Sequence, residues 1–254
     1  LINPMKTNKE RILELKTNGY KISFENVFNL AFENYKKIAV YAGLLFLVTT
    51  VFLGIISVLI IAFTYGIANF QDLIKPENLD PKNFSDEFLM IYIASVTLFS
   101  CLASPFLAGF IKMAHCAEID EEFHVSTAFE YYKFSYFKEL FVATLTLSLL
   151  NMGIASVLEG TGIPALSFIG SLTITLLSIL TVPLIIFSDF KAFEAINTSF
   201  NLVLKQPLVL LGLLIVAYLF LLTGVFMFFI GLFFTLPFLY STYYAVYKSI
   251  IGFE

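Results

Sequence analysis

The chain has 254 residues, is 59% hydrophobic with a mean hydropathy of +0.87, and is only 13% charged. A soluble domain carries about 25% charged residues and about 45–50% apolar ones, so a water-soluble fold is excluded for most of this length. The formal net charge of −4, with no basic cluster, argues against a nucleic-acid partner.

Taken in chain order, residues 1–37 are polar and hold no short apolar core, so a cleavable leader is not expected there. Residues 1–21 read as a polar N-terminal segment. From Ile38 onward the charges are segregated: none occurs in 38–71, 88–111, 140–158, 160–188 or 206–247. A spanning helix needs about 20 apolar residues, so these runs predict transmembrane helices at roughly 38–64, 88–111, 140–158, 163–187, 207–224 and 227–247. The last run is too long for one pass, and Gly224 and Gly231 near its middle mark the turn. Segments such as LVLLGLLIVAYLFLL do not alternate apolar with polar, which excludes barrel strands. The expected fold is therefore an all-α integral membrane protein with six transmembrane helices. The loop 66–87 is acidic, contains Pro76 and Pro81, and is predicted to be an irregular cap.

With six passes, thirteen of the fifteen Lys and Arg residues fall on one side, and only Lys75 and Lys82 on the other. By the positive-inside bias both termini are expected in the cytoplasm. Fourteen of those fifteen are lysine, a usage that fits an AT-rich bacterial genome, so a bacterial inner (cytoplasmic) membrane is the expected location, with the lipid bilayer as the first partner.

A repeat runs through the chain. The decapeptides SFENVFNLAF (23–32), VSTAFEYYKF (125–134) and KAFEAINTSF (191–200) each precede a helix pair, each ends in Phe, and each is followed by Lys. The second helix of each pair carries a proline, Pro105, Pro183 or Pro237, which can kink it. Three units follow, 22–111, 125–188 and 189–254, with 112–124 as a linker between the first two. Each unit reads as an amphipathic interfacial helix and a pair of spans. The interfacial aromatics are Phe24, Phe28 and Phe32, then Phe129 and Phe134, then Phe193 and Phe200. Their one-sided spacing suits either a helix lying among headgroups or a cytoplasmic collar packed on its neighbours. Thr127 and Glu130 fit a capping box that would start the middle one.

No ionisable carboxylate or amine lies inside the predicted spans, which argues against an ion-coupled carrier. Hydroxyls recur at equal offsets before two of the prolines: Thr97 and Ser100 before Pro105, Thr175 and Ser178 before Pro183. Ser104, Ser171 and Thr181 extend the pattern, and Asn151 can join it. Such residues serve helix packing; the alternative is a polar seam, or small-ligand path, between the second and fourth helices, closed by aromatics of the sixth.

The run KMAHCAEIDEEFH (112–124) holds both histidines. On a helix, His115, Glu118 and Glu122 would share a face, a two-carboxylate, one-histidine arrangement suited to a divalent metal; a solvated polar strap is the other reading. No phosphate loop, metalloprotease, nucleophile-elbow or CxxC motif occurs, and no cofactor or catalytic residue is expected.

The pattern of AF, Lys, apolar pair and Pro over about residues 20–250 resembles a group of bacterial six-helix membrane proteins of unknown function. It is similar in style to the membrane domain attached to some glycerophosphodiester phosphodiesterases. That resemblance implies a membrane module without its own hydrolase site. The expected function is a non-enzymatic membrane protein that organises or supports other envelope components, other membrane proteins among them. A permease-like module for a small or lipid-like substrate is the alternative, and a lipid-modifying enzyme the third.

Overall fold

The computed structural model describes residues 8–66, 75 and 84–252. Among these residues no strand occurs. The helices in chain order are α1 (Asn8–Asn18), α2 (Phe24–Tyr65), α3 (Asp86–Glu118), α4 (Val125–Ala128), α5 (Phe134–Glu159), α6 (Pro164–Leu177), α7 (Thr181–Ser188), α8 (Ala192–Val203), α9 (Pro207–Thr223) and α10 (Ile230–Ile250). Two 3-10 turns, Glu130–Tyr132 and Val225–Met227, complete the series. Phe24–Ile60, Asp86–Glu118, Phe134–Glu159, Pro164–Ser188 and Pro207–Met227 are long and apolar enough to cross a membrane. The chain is an all-α, multi-pass membrane protein. Most of the predicted cap at 66–87 lies outside the described residues.

α10 is the helix that the others surround. It packs on α2, α9 and α3, and twelve of its residues are buried. Its composition explains the position: Thr235, Ser241, Thr242, Tyr244 and Tyr247 suit lipid poorly and find partners in the bundle. Ser241 Oγ donates to the Ala31 carbonyl at 2.6 Å, and Tyr247 and Ser188 hydroxyls meet at 2.8 Å. Phe28, Phe32, Tyr35 and Phe220 gather around Phe238. By contrast, every residue of α2 from Val51 to Ile60 is exposed, a bare apolar surface that matches hydrocarbon.

Three details depart from the sequence expectation. First, the decapeptide 23–32 is not a separate interfacial helix. Ser23 caps it by accepting from the Asn26 amide at 3.4 Å, and α2 then continues unbroken to Tyr65, because no Gly or Pro interrupts Phe24–Ala42 to stop propagation. Second, 125–134 forms only four residues of α-helix and a 3-10 turn before α5 begins. Thr127 Oγ1 accepts from the His124 amide at 3.1 Å, so Thr127 closes a helix start three residues before the predicted box. Ala128 backbone lies against Gly109 so closely that a Cβ there would come within hydrogen-bond distance or less of the Ala128 backbone.

Third, the span predicted at 163–187 breaks at Ser178–Leu180, between α6 and α7. Pro183 then falls in the first turn of α7, where its missing N–H costs nothing. The break leaves backbone groups unpaired inside the protein, and Ser199 of α8 serves both: its hydroxyl accepts from the Leu180 amide at 3.1 Å and donates to the Leu177 carbonyl at 2.6 Å. The third decapeptide does form a separate helix, α8, and seven of its twelve residues are buried against neighbouring helices, the packed one of the two arrangements expected rather than a helix lying among headgroups.

The N-terminal segment is tied to the corner between α8 and α9. Tyr20 donates to the Leu202 carbonyl at 2.9 Å, and Gln206 holds the backbone of Tyr20 and Ile22 through its amide. Burial pushes the Tyr20 phenol well above its ordinary pKa. Replacing Ser199 with Ala removes both bonds at the α6–α7 break while leaving those groups buried. The expected loss is about 1–3 kcal/mol, read as a lower midpoint of thermal unfolding in detergent.

Candidate functional site

A cavity of about 730 Å³ opens between α2, α3, α5, α7 and α10. Ten of its nineteen lining residues are Phe, Leu, Ala, Ile or Val. Set among them are hydroxyls from Thr49, Thr50 and Ser57 of α2, Ser100 and Ser104 of α3, Thr144 of α5, and Tyr240 and Tyr243 of α10. No Asp, Glu, Lys, Arg, His or Cys among the described residues lines it. A second cavity of about 560 Å³ shares Thr49, Leu53, Phe99, Ala103 and Phe106 with it and continues to Phe129 and Tyr132. The two adjoin across the gap between α2 and α3. Volumes of about 300–1,000 Å³ are those of ligand sites.

Three of the hydroxyls are satisfied within their own helices. Ser57 donates to Leu53 at 2.9 Å, Ser100 to Val96 at 2.9 Å and Ser104 to Cys101 at 2.8 Å. A hydroxyl that donates in this way keeps acceptor lone pairs. The cavity therefore offers apolar walls with a few acceptor points, which suits an aliphatic body carrying a hydroxyl or amide donor.

Only two of the predicted seam residues, Ser100 and Ser104, reach this cavity. Thr97 is partly buried on α3 but does not line it. The hydroxyls of the fourth span turn elsewhere: Thr175 donates to the Ser171 carbonyl at 2.9 Å and Ser178 to Thr175 at 3.1 Å. Thr175 also engages Tyr218 of α9, which in turn engages Tyr243. Thr181 Oγ1 and Asn151 Oδ1 are buried with no partner among the described residues. The cavity thus gathers hydroxyls of the second helix, Ser100 and Ser104, but none of the fourth, where Thr175 and Ser178 bond to their own backbone. Thr49, Thr50 and Ser57 on the first span escape the sequence pattern, since offsets from a proline exist only on proline-bearing helices. Their signal is their rarity, as polar residues in the 38–71 run. Aromatics of the last helix do close the cavity, through Tyr240 and Tyr243.

The interfacial aromatics divide likewise. Phe28, Phe32 and Phe200 are partly buried in the core, while Phe24, Phe129, Phe134 and Phe193 are exposed. Pro105 and Pro237 sit inside continuous helices α3 and α10; Pro183 follows the break already described.

The run KMAHCAEIDEEFH carries the other polar cluster. α3 extends through it as far as Glu118, and Lys37 of α2 closes its end by donating to the Ala117 carbonyl at 2.7 Å and to Asp120 at 2.6 Å. Asp120 adopts the left-handed conformation of a helix stop. His115 and Glu118 therefore share a face, but Glu122 lies past the helix end and does not join them. Among the described residues no group of three or more His, Cys, Asp and Glu side chains is placed to hold a metal. Of the two readings, the metal face lacks Glu122 for that reason, and the solvated strap is confined to the few residues after Glu118.

What His115 and Glu118 meet instead is α10. The fully buried Tyr244 donates to Glu118. A phenol has one proton to give, so at its 3.0 Å contact with His115 Nδ1 it accepts, which places the histidine proton on Nδ1. Lys248 Nζ stands 3.5 Å from the other Glu118 oxygen, and Phe187 packs on His115, Tyr244 and Tyr247.

Comparison with protein-family models, curated proteins and solved structures gives no match for this chain.

Tyr244→Phe removes both phenol bonds and leaves the Glu118 carboxylate without its buried donor. The expected cost is about 1–3 kcal/mol. Glu118→Gln, which keeps an acceptor for Tyr244, costs less. Thermal unfolding of the purified variants orders the two.

Proposed function

We propose that this protein is a non-catalytic, multi-pass protein of a bacterial inner membrane that holds a lipid-like ligand between α2 and α3. The observation that carries the proposal is the paired cavity: apolar walls, a few hydroxyl acceptors, no ionisable acid or base among the described lining residues, and a lining drawn from helices long and apolar enough to cross a membrane. A ligand of this chemistry enters sideways from the bilayer and needs no aqueous path. The Lys and Arg asymmetry supports cytoplasmic termini. Six embedded helices arranged as three hairpins accommodate the repeated units, and each hairpin returns the chain to its starting side.

A second reading, that the protein organises other membrane components, is favoured by the all-round exposure of Val51–Ile60. The two readings share a membrane-embedded surface and differ in what covers it. Photo-crosslinking from Val58→Cys in native membranes separates them: a discrete protein adduct supports the organising role, and lipid adducts alone count against it.

Ala103 lines both cavities, so Ala103→Phe fills their junction. Purified in mild detergent, the wild-type chain is expected to retain lipid-like molecules by native mass spectrometry. Ala103→Phe is expected to lose most of them, whereas Leu149→Phe, on the exposed face of α5, is not. Equal retention by a folded Ala103→Phe would sink the proposal.

A further inference from the structure

We propose that the α9–α10 hairpin ends inside the bilayer, with its tip, Val225–Ile230, held among the acyl tails of the leaflet opposite the termini. The depth of the tip, its chemistry and its backbone bonding all point there, whatever the cavity binds.

Two side-chain contacts give common levels in the bundle: Phe46 of α2 packs on Phe233 of α10 with ring centroids 5.3 Å apart, and Thr175 of α6 engages Tyr218 of α9. From the first level α2 runs on about 20 residues to its end, while α10 has about five to Phe228. From the second α6 runs on about 11 residues to Pro164, while α9 has about six to Gly224. At a rise of about 1.5 Å per residue the α9–α10 tip thus stops well short of the end of α2 and several ångström below the α5–α6 loop. That loop, Glu159-Gly160-Thr161-Gly162, is polar and belongs at the headgroups.

The tip has the opposite chemistry. Residues 224–231 read GVFMFFIG, without one polar side chain. Its side chains turn outward: Phe226 is 87% exposed and Phe228 90%. They continue an exposed apolar flank of α9 formed by Ile215, Leu219 and Leu222. In water this would be a large apolar patch; its continuity with the exposed apolar flank of α9, a helix apolar enough to cross a membrane, points to hydrocarbon as its cover.

The backbone is prepared for that environment. An unpaired amide in lipid costs several kcal/mol. Here the amides of Met227, Phe228, Phe229 and Leu232 all donate within the turn. Gly224 and Gly231 let the two helices meet backbone to backbone, since a Cβ on Gly224 would lie 2.6 Å from the Gly231 carbonyl carbon. Thr235 turns its hydroxyl back to the Gly231 and Leu221 carbonyls. Phe228 and Phe229 take left-handed backbone angles to close the turn.

The test uses the absence of tryptophan from the chain. Phe228→Trp and Thr161→Trp each introduce a sole indole fluorophore, and Phe226→Trp serves as a second tip probe. The purified full chain is reconstituted in bilayers containing lipids brominated either near the acyl terminus or near the headgroup, and acrylamide is added as aqueous quencher. For the tip probes the expected result is blue-shifted emission, strong loss with deep-brominated lipid and little loss with acrylamide. The probe at position 161 is expected to show the reverse order. Quenching of both tip probes by acrylamide overturns the proposal in favour of a tip in water. Tip probes reached by neither quencher overturn it in favour of a protein cover.

Discussion

The placement of α10 constrains everything around it. A helix bearing Thr235, Ser241, Thr242, Tyr244 and Tyr247 cannot face hydrocarbon cheaply, since each polar group without a partner there is penalised. The bundle answers by giving α10 partners on several sides: the Ala31 carbonyl on α2, Glu118 and His115 on α3, Ser188 on α7. The other helices are then free to be nearly pure hydrocarbon on their outer faces. Polar bonding is thus concentrated along one central post, most densely toward its C-terminal end, while lipid compatibility is left to the periphery.

The same economy of hydrogen bonds shapes the cavity. Ser57, Ser100 and Ser104 donate to their own helices rather than across the gap, so these three hydroxyls do not tie α2 to α3. The space stays open because its walls are satisfied without closing it. At the α6–α7 break the reverse holds: Ser199 must cross to a neighbour, since Leu177 and Leu180 have lost their helical partners. Whether a small hydroxyl opens a space or seals one is decided by the backbone groups left unpaired nearby.

Much of this is legible in the residues alone. Charge-free runs locate the long helices, and Gly224 with Gly231 marks the last turn, because close backbone approach demands glycine. The 37–38 boundary is misleading: a change from polar to apolar side chains marks a change of surroundings, and α2 passes through it without a break. His115 and Glu118 are visible as one face, yet their partner Tyr244 is 129 and 126 residues away in sequence. Periodicity reveals which residues share a side of a helix and is silent on which helix that side meets. For that reason the hydroxyl offsets of the second and fourth spans are real but do not converge.

The 42-residue length of α2 has a mechanical meaning. At about 1.5 Å per residue it is a rod about 63 Å long, held near its start by α10 and by the Lys37 anchor and exposed, among the described residues, at Val51–Ile60. A rod held mainly toward one end is a lever: a small rotation there displaces the far end most, and the cavity wall from Phe46 to Ser57 lies along its length.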